Sequence, residues 1–387
     1  MDGEGGEATT RMPGLDLLRA IAILWVMYYH AVVFHFVAHS DPVARTGWMG
    51  VDLFFALSGF LIGNQLIRPL THGHQIDIWR FYARRMFRTW PPYLAVVVLY
   101  FTLPIVREAP PIPPLWRFLT FTQNLFSDAD RRTAFSHAWS LCVEEQFYLI
   151  APLAVWMLAR RPSALKTIVA CASILIGGVV LRAAIWKLAL APFVDSPHQL
   201  DWHWMNLIYR PTWSRLDGLL AGIVLALIRG LRPKAWRLLM DCSNTMLIAA
   251  LSLFAIAAYI FRDQVDFMPS VIGFPILAIA LGGLVAAGAS PSSLIGRKAI
   301  PGAGLVAAMA YSLYLTHKSV YHLVSLCAGG TLMPHPLLSI AVYGGTATIV
   351  GALFFAAIER PSLLLRDRAL KPRGAASPPI LAAGTIS

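Results

Sequence analysis

The chain has 387 residues, of which 57% are hydrophobic and only 13% are charged, and its mean hydropathy is +0.61. Soluble domains carry roughly 25% charged residues, so this composition excludes an ordinary soluble protein and indicates one that crosses a membrane several times. The net charge of +12 requires no nucleic-acid partner, because lysine and arginine accumulate in the cytoplasmic loops of membrane proteins.

Ten apolar stretches are long enough to cross a bilayer, which takes roughly 20 residues of helix. The third stretch runs into prolines and the sixth opens on Arg215 and Asp217, so these two are the weakest. The stretches lie near 15–36, 48–68, 90–107, 138–159, 166–187, 211–229, 244–261, 269–288, 303–326 and 337–358.

The basic residues predict how these helices are oriented. If the N-terminus is cytoplasmic, the inner connections are rich in lysine and arginine, as the positive-inside rule requires. We therefore predict an all-α, polytopic bundle of about ten transmembrane helices with both termini in the cytoplasm. Its predicted parts are a cytoplasmic segment 1–13, one membrane domain 14–361 and a cytoplasmic, disordered tail 362–387, which is rich in proline, alanine and glycine.

The first helix carries two ionisable residues on one face. Arg19 and His30 are eleven residues apart, which is about three turns and about 16 Å of helix. Asp16, three residues before Arg19, can pair with it. Ionisable groups inside spans are functional-site hypotheses. The alternatives are that Arg19 extends its charge to the membrane surface and that His30 is a packed hydrogen-bonding residue.

The fourth helix contains HAWSLCVEEQFYLIAPL, residues 137–153, with two adjacent carboxylates, Glu144 and Glu145. Both lie about two turns from the outer end of their helix, and His30 lies at a comparable depth. A histidine–carboxylate pair is therefore feasible, and because neighbours on a helix point about 100° apart, the second glutamate would face another partner. The alternative is that one glutamate neutralises Arg182 or Arg215 and does no chemistry.

A second cluster of charge is WRFYARRMFRTWPPY, residues 79–93, which we predict on the inner side just before the third helix. Arg85 and Arg88 are spaced i, i+3 and share a face, so they can bind a phosphate through charge-assisted hydrogen bonds. Orientation of the helix by positive charge explains the same residues without a ligand. The sequence has no HExxH, GxSxG or P-loop motif, and we predict no metal.

Together these segments resemble the acyltransferase-3 family of integral membrane acyltransferases, in its stand-alone form without an SGNH domain. The resemblance runs from residue 14 to 361, and the spacing of Arg19 and His30 combined with the Glu144–Glu145 segment makes it specific. The segments that carry it are, in chain order, GLDLLRAIAILWVMYYH, GWMGVDLFFALSGFLIG, FYARRMFRTWPPY, HAWSLCVEEQFYLIAPL, RLDGLLAGIVLA, AYSLYLTH and the terminal ERP.

The resemblance implies transfer of an acyl group, most often acetyl, from cytoplasmic acyl-CoA to a hydroxyl. The implied acceptor is most often a saccharide of a surface polysaccharide or glycolipid, but other members modify antibiotics such as macrolides, so another hydroxyl acceptor stays open. The implied location is the bacterial cytoplasmic membrane. No metal is implied. The family's histidine falls on His30, which we expect to act as general base, with transient acylation of His30 as the alternative mechanism. The family's Arg-x-x-Arg falls on Arg85 and Arg88, which would bind the donor.

The remaining expectations concern residues around this centre. Glu144 would orient and polarise His30, and Arg84 would assist the donor site. Arg19 and His30 would line a continuous polar passage between helices, through which the acyl thioester reaches into the bundle. Four residues are expected to bind the acceptor or support the site: Glu145, Trp139, Arg215 and Asp217. The competing interpretations are a transporter that uses the intramembrane charges and a component of a polysaccharide-export machine.

Overall fold

A computed structural model describes residues 12–38, 40–126, 133–332 and 334–371, and in these ranges the chain is helical with no strand. The predicted all-α membrane bundle is therefore confirmed. The long helices are α1 (Pro13–Val33), α2 (Met49–Thr71), α3 (Ile78–Thr102), α4 (Trp139–Arg160), α5 (Ala164–Ile185), α6 (Asp217–Leu231), α7 (Ser243–Ile260), α8 (Phe274–Ala289), α9 (Ala303–Leu332), α10 (Pro336–Phe354) and α11 (Arg360–Ala369).

Within the described ranges, seven helical segments are long and apolar enough to cross a membrane. They contain α1, α2, α4, α5, α7, α8 and α10. The other three predicted spans are also helical, as α3, α6 and α9, but they are shorter or more polar: α6 has 15 residues. The number of spans and the side on which the termini lie remain predictions.

Helix α3 begins twelve residues before its predicted start near residue 90. The side chain of Asp77 accepts a hydrogen bond of 2.8 Å from the backbone N–H of Arg80 and so caps the helix. Pro91 and Pro92 lie inside the helix and do not end it. The arginine motif is therefore part of α3 and not of a preceding loop, which corrects the expectation for this segment.

The end of the chain is also more ordered than its composition suggests. A π-helical turn, Phe355–Glu359, joins α10 to α11. Residues 362–369, which we expected in a disordered tail, are thus helical. The tail beyond Lys371 and most of the segment 1–13 lie outside the described residues.

Small residues allow α2 and α6 to pack closely. A Cβ atom added at Gly59 would lie 2.1 Å from the Leu219 carbonyl oxygen, and one at Gly222 would lie 2.3 Å from the Ala56 carbonyl oxygen. Such contacts between small residues are typical of membrane helix interfaces. Helix α1 packs against α2, α8 and α9, so its Arg19–His30 face is enclosed by other helices.

Candidate active site

Polar side chains gather in two places along the bundle interior. The histidine cluster consists of His30 on α1, His137 in the turn before α4, and His317 on α9. The arginine cluster consists of Arg19 on α1, and Arg85 and Arg88 on α3. Because Arg19 and His30 are about three helical turns apart, α1 connects the two clusters.

The three rings of the histidine cluster lie side by side. The ring centroids are 4.9 Å apart for His30 and His317, 5.2 Å for His137 and His317, and 6.2 Å for His30 and His137. His317 and His137 are buried, whereas His30 is partly accessible. His30 is therefore the most accessible ring of the cluster.

Hydrogen bonds to backbone carbonyls determine the tautomers of two of these rings. Nδ1 of His317 lies 2.9 Å from the Leu313 carbonyl oxygen, and Nδ1 of His30 lies 3.0 Å from that of Val26. A carbonyl oxygen only accepts, so both Nδ1 atoms carry the proton in the neutral rings. Nδ1 of His30 also donates to Nε2 of His317 at 3.0 Å. Nε2 of His30 is therefore unprotonated and can act as a base.

A buried ion pair borders the histidine cluster. Glu108, from the loop after α3, lies 3.0 Å from the ammonium of Lys318, and its carboxylate accepts a hydrogen bond of 2.8 Å from Tyr100. The ammonium of Lys318 also donates to the Ser136 hydroxyl at 2.8 Å. The loop is thus tied to α9 at Lys318, the residue that follows His317.

The arginine cluster concentrates positive charge at the other end of α1. Arg19 lies 3.7 Å from Asp16, as predicted, and interacts electrostatically with both Arg88 and Arg85. The guanidinium of Arg85 lies 5.4 Å from the centre of the Tyr148 ring. Neighbouring carboxylates offset part of this charge, and the three guanidinium groups in one partly buried region can bind a phosphate through charge-assisted hydrogen bonds.

Glu144 belongs to the arginine cluster and not to His30. Its carboxylate accepts hydrogen bonds from Ser58 at 2.8 Å and from Tyr148 at 2.9 Å, and it interacts electrostatically with Arg85 and Arg88. The expected pairing of Glu144 with His30 is therefore wrong within the described residues. The residue from the α4 segment that lies beside His30 is His137.

The helical repeat explains this correction. His137 precedes Glu144 by seven residues, and Tyr148 follows by four, so all three share one face. Seven residues of helix rise about 10 Å, which moves Glu144 two turns away from His30. Depth counted from predicted helix ends could not resolve this difference, because an error of a few residues shifts the match by a full turn.

The other residues of the two predicted motifs take separate positions. Glu145 lies beside the side chains of Thr89 and Trp90 and interacts electrostatically with Arg85, so it faces α3. Arg84 is exposed, and its charged neighbours are Arg80, Asp77, Arg366 and Asp367. Arg84 therefore points away from the arginine cluster.

Arg215 and Asp217 each form a buried ion pair with a residue of another helix. Arg215 donates to Asp52 at 2.8 Å, and Arg182 donates to Asp217 at 2.7 Å. Neither arginine is neutralised by a glutamate, so that alternative is wrong for these residues. Trp139 packs against the Arg215 guanidinium at 5.4 Å, which connects the start of α4 to this support.

Sequence reasoning missed three residues of the site. Two are histidines in segments that carry the family resemblance: His317 ends AYSLYLTH, and His137 begins HAWSLCVEEQFY. The signal that could have found them is a histidine in an apolar, helical stretch. Glu359, in the terminal ERP, accepts a hydrogen bond of 2.6 Å from Ser312 and interacts electrostatically with Arg88. Within the described residues, the histidines do not form part of a metal-binding group.

Comparison with known proteins identifies the class of this bundle. The model of the acyltransferase-3 family, described as an acyltransferase domain, matches residues 12–356, so the chain belongs to this family. It is 26% identical over 332 residues to the O-acetyltransferase OatA of Staphylococcus aureus strain NCTC 8325. It is also 26% identical over 334 residues to a putative O-acetyltransferase, SAS0844, of strain MSSA476.

These alignments cover 80% and 81% of this chain and 50% and 51% of the relatives. The chain thus spans about half the length of the curated relatives it matches. No solved structure matches it. The family model establishes an acyltransferase domain, and the apolar helices are those of an integral, multi-pass membrane protein.

Proposed function

We propose that this protein transfers an acetyl group from cytoplasmic acetyl-CoA to a hydroxyl of a saccharide in a surface polysaccharide or glycolipid, with His30 as the general base. The observation that carries the proposal is the hydrogen-bonded series from Leu313 through His317 to His30, which leaves Nε2 of His30 as a free base. A neutral imidazole is suited to this role near neutral pH.

The reaction needs one base and returns its proton at the end. The acceptor O–H gives its proton to Nε2 of His30, and the oxygen attacks the thioester carbonyl carbon. The C–S bond breaks, and the CoA sulfur takes the proton from the His30 imidazolium. While His30 is positively charged, its Nδ1–H group donates to His317 and to the Val26 carbonyl, and these acceptors stabilise the charge.

The arginine cluster is the proposed donor site. CoA carries several phosphate groups, and Arg85 and Arg88 share a face of α3 beside Arg19. With the phosphates bound there, the acyl end extends toward His30 along the Arg19–His30 face of α1, over about 16 Å. Glu144 and Tyr148 lie beside the arginines at the start of this path and position them.

Purified protein in detergent tests the donor. We expect it to release CoA from acetyl-CoA, and the variant His30→Ala to release it far more slowly. His203→Ala is the matched control, because His203 lies on the short helix Pro197–Trp204 and stacks on Phe193, 4.1 Å away. A wild-type protein that leaves acetyl-CoA intact would refute the proposed donor.

The acceptor is tested by comparing the mass of surface glycans from cells with and without this protein. We expect the acetyl ester decoration to disappear while the polymer remains. Loss of the whole polymer would instead assign the protein to export.

A further inference from the structure

His137 is the member of the histidine cluster that the proposed reaction does not use. It is 3% exposed. The Leu315 backbone lies near its ring, but neither ring nitrogen has a hydrogen bond of acceptable geometry within the described residues. A buried polar group without a partner is costly, and such groups in native proteins call for an explanation such as a bound molecule.

The fold holds His137 in place through its neighbours instead of through its ring nitrogens. Phe135, two residues earlier, has φ 56°, a left-handed conformation that is unfavourable for a bulky residue. Stacking of its ring against Tyr100 at 4.6 Å and Phe118 at 6.0 Å stabilises this turn. The His137 carbonyl accepts a hydrogen bond of 2.8 Å from Tyr314. Strain of this kind is typical of functional sites.

The free nitrogens of His137 lie next to the base. Two hydrogen bonds of about 2.9 Å that meet at one oxygen hold their nitrogens up to about 5.8 Å apart. The centroids of the His30 and His137 rings are 6.2 Å apart, a spacing that one hydroxyl oxygen can bridge where a nitrogen of each ring faces the other ring. Nδ1 of His137 is 4.0 Å from the Glu108 carboxylate, too far for a hydrogen bond, so the carboxylate does not fix the tautomer.

We propose that His137 binds the acceptor hydroxyl: its N–H donates to the oxygen whose proton Nε2 of His30 removes. This inference rests on the proposed function. A hydroxyl has one proton to donate and two lone pairs to accept with, which matches a base on one side and an N–H donor on the other. The donor also stabilises the negative charge that develops on the oxygen as the proton leaves.

A polar cavity on the other side of the same turn fits a hydroxyl-rich acceptor. Phe135, Ser136 and Trp139 line it from the side of this turn, and amide and guanidinium groups line it as well. The polar residues that line it are Gln123, Asn124, Asn206 and Arg210. Its volume of about 30 Å³ is too small for a sugar ring, so it would hold only a hydroxyl group of the acceptor.

The test compares His137→Phe, His137→Gln and the control His203→Phe, as purified protein with labelled acetyl-CoA and glycerol as a small polyol acceptor. Acetylglycerol and acetate, the products from glycerol and from water, are measured together. We expect His137→Phe, which keeps a ring but removes both nitrogens, to lower kcat by about 10- to 100-fold with an unchanged KM for acetyl-CoA. His137→Gln supplies an N–H donor and should recover at least part of the rate.

The outcomes separate the inference from the proposed function. A wild-type protein that consumes no acetyl-CoA refutes the proposed function. An active wild-type protein with an equally active His137→Phe variant refutes only the inference about His137. A loss of kcat in His137→Phe that His137→Gln does not relieve in any degree also refutes it, because packing alone then explains the residue. If His137→Phe fails to fold, His137→Gln is compared with His137→Ala. A higher rate for His137→Gln supports the inference, and equal rates refute it.

Discussion

At the scale of single residues, the proposed reaction depends on which nitrogen of His30 is free. Two backbone carbonyls, of Val26 and Leu313, each accept from a histidine Nδ1–H, and the rings are linked at 3.0 Å. This arrangement uses the backbone and a second histidine for the orientation that a carboxylate provides in other histidine bases.

The variant His317→Phe tests this orientation. It keeps an aromatic ring at the position but removes the acceptor that holds Nδ1–H of His30, so the imidazole loses its fixed direction and its stabilised positive charge. We expect kcat to fall by about 10- to 100-fold while the KM for acetyl-CoA stays unchanged. In the double variant with His30→Ala the two defects should not multiply, because the residues act as one unit. Full multiplication would separate His317 from the chemistry.

Glu144→Gln tests the corrected position of Glu144. Because this carboxylate lies among Ser58, Tyr148 and the arginines, we expect its loss to change the KM for acetyl-CoA more than kcat. Combined with His30→Ala, its effect should be independent, since additivity is typical of residues that share no partner. Strong non-additivity in kcat would restore the direct link between Glu144 and His30.

Contacts within one helix could be predicted from the sequence, whereas contacts between helices could not, for a physical reason. His30, the Asp16–Arg19 contact and the Arg85–Arg88 face follow from spacing within one helix, which the helical repeat fixes. The partners of His30 depend on which helices are neighbours and at what height they meet. A single sequence contains no direct record of either, so Glu144 was matched to His30 while His137 and His317 received no role.

At the scale of elements, α1 and α4 carry matching faces that run in opposite directions. Arg19 is near Tyr148 at one end, and His30 is near His137 at the other. The positions of most helices were predictable from apolar length. The early start of α3 was not, because an arginine-rich segment reads as a loop until a cap and packing make it helical.

The first turns of α3 carry arginines on two faces: Arg85 and Arg88 lie in the arginine cluster, and Arg84 is exposed. Substitutions on the two faces can be compared. We expect Arg85→Ala or Arg88→Ala to raise the KM for acetyl-CoA about 10-fold or more, since each removes a charge-assisted contact to phosphate. Arg84→Ala is the matched control on the exposed face of the same turn and should leave this KM unchanged. Equal effects of all three substitutions, measured by steady-state kinetics, would reduce the motif to a signal for membrane orientation.

At the scale of the whole molecule, the proposed cytoplasmic donor and external acceptor require a particular orientation of the bundle in the membrane. Two exposed native cysteines report it: Cys242 precedes α7 in a predicted inner connection, and Cys327 lies near the predicted outer end of α9. A membrane-impermeant maleimide applied to intact cells should label Cys327, and Cys242 should react only after the membrane is opened. Cys327→Ser and Cys242→Ser identify the labelled sites, and the reverse pattern would invert the topology.

The most direct test of the central claim is a single-turnover measurement of acetyl-CoA consumption by purified wild-type protein and His30→Ala, with the dissociation constant of acetyl-CoA determined for both. General-base catalysis contributes about 10²- to 10⁴-fold, so we expect His30→Ala to lose that much rate and to bind acetyl-CoA as tightly as the wild type. A His30→Ala protein that turns over within about threefold of the wild-type rate would contradict the account.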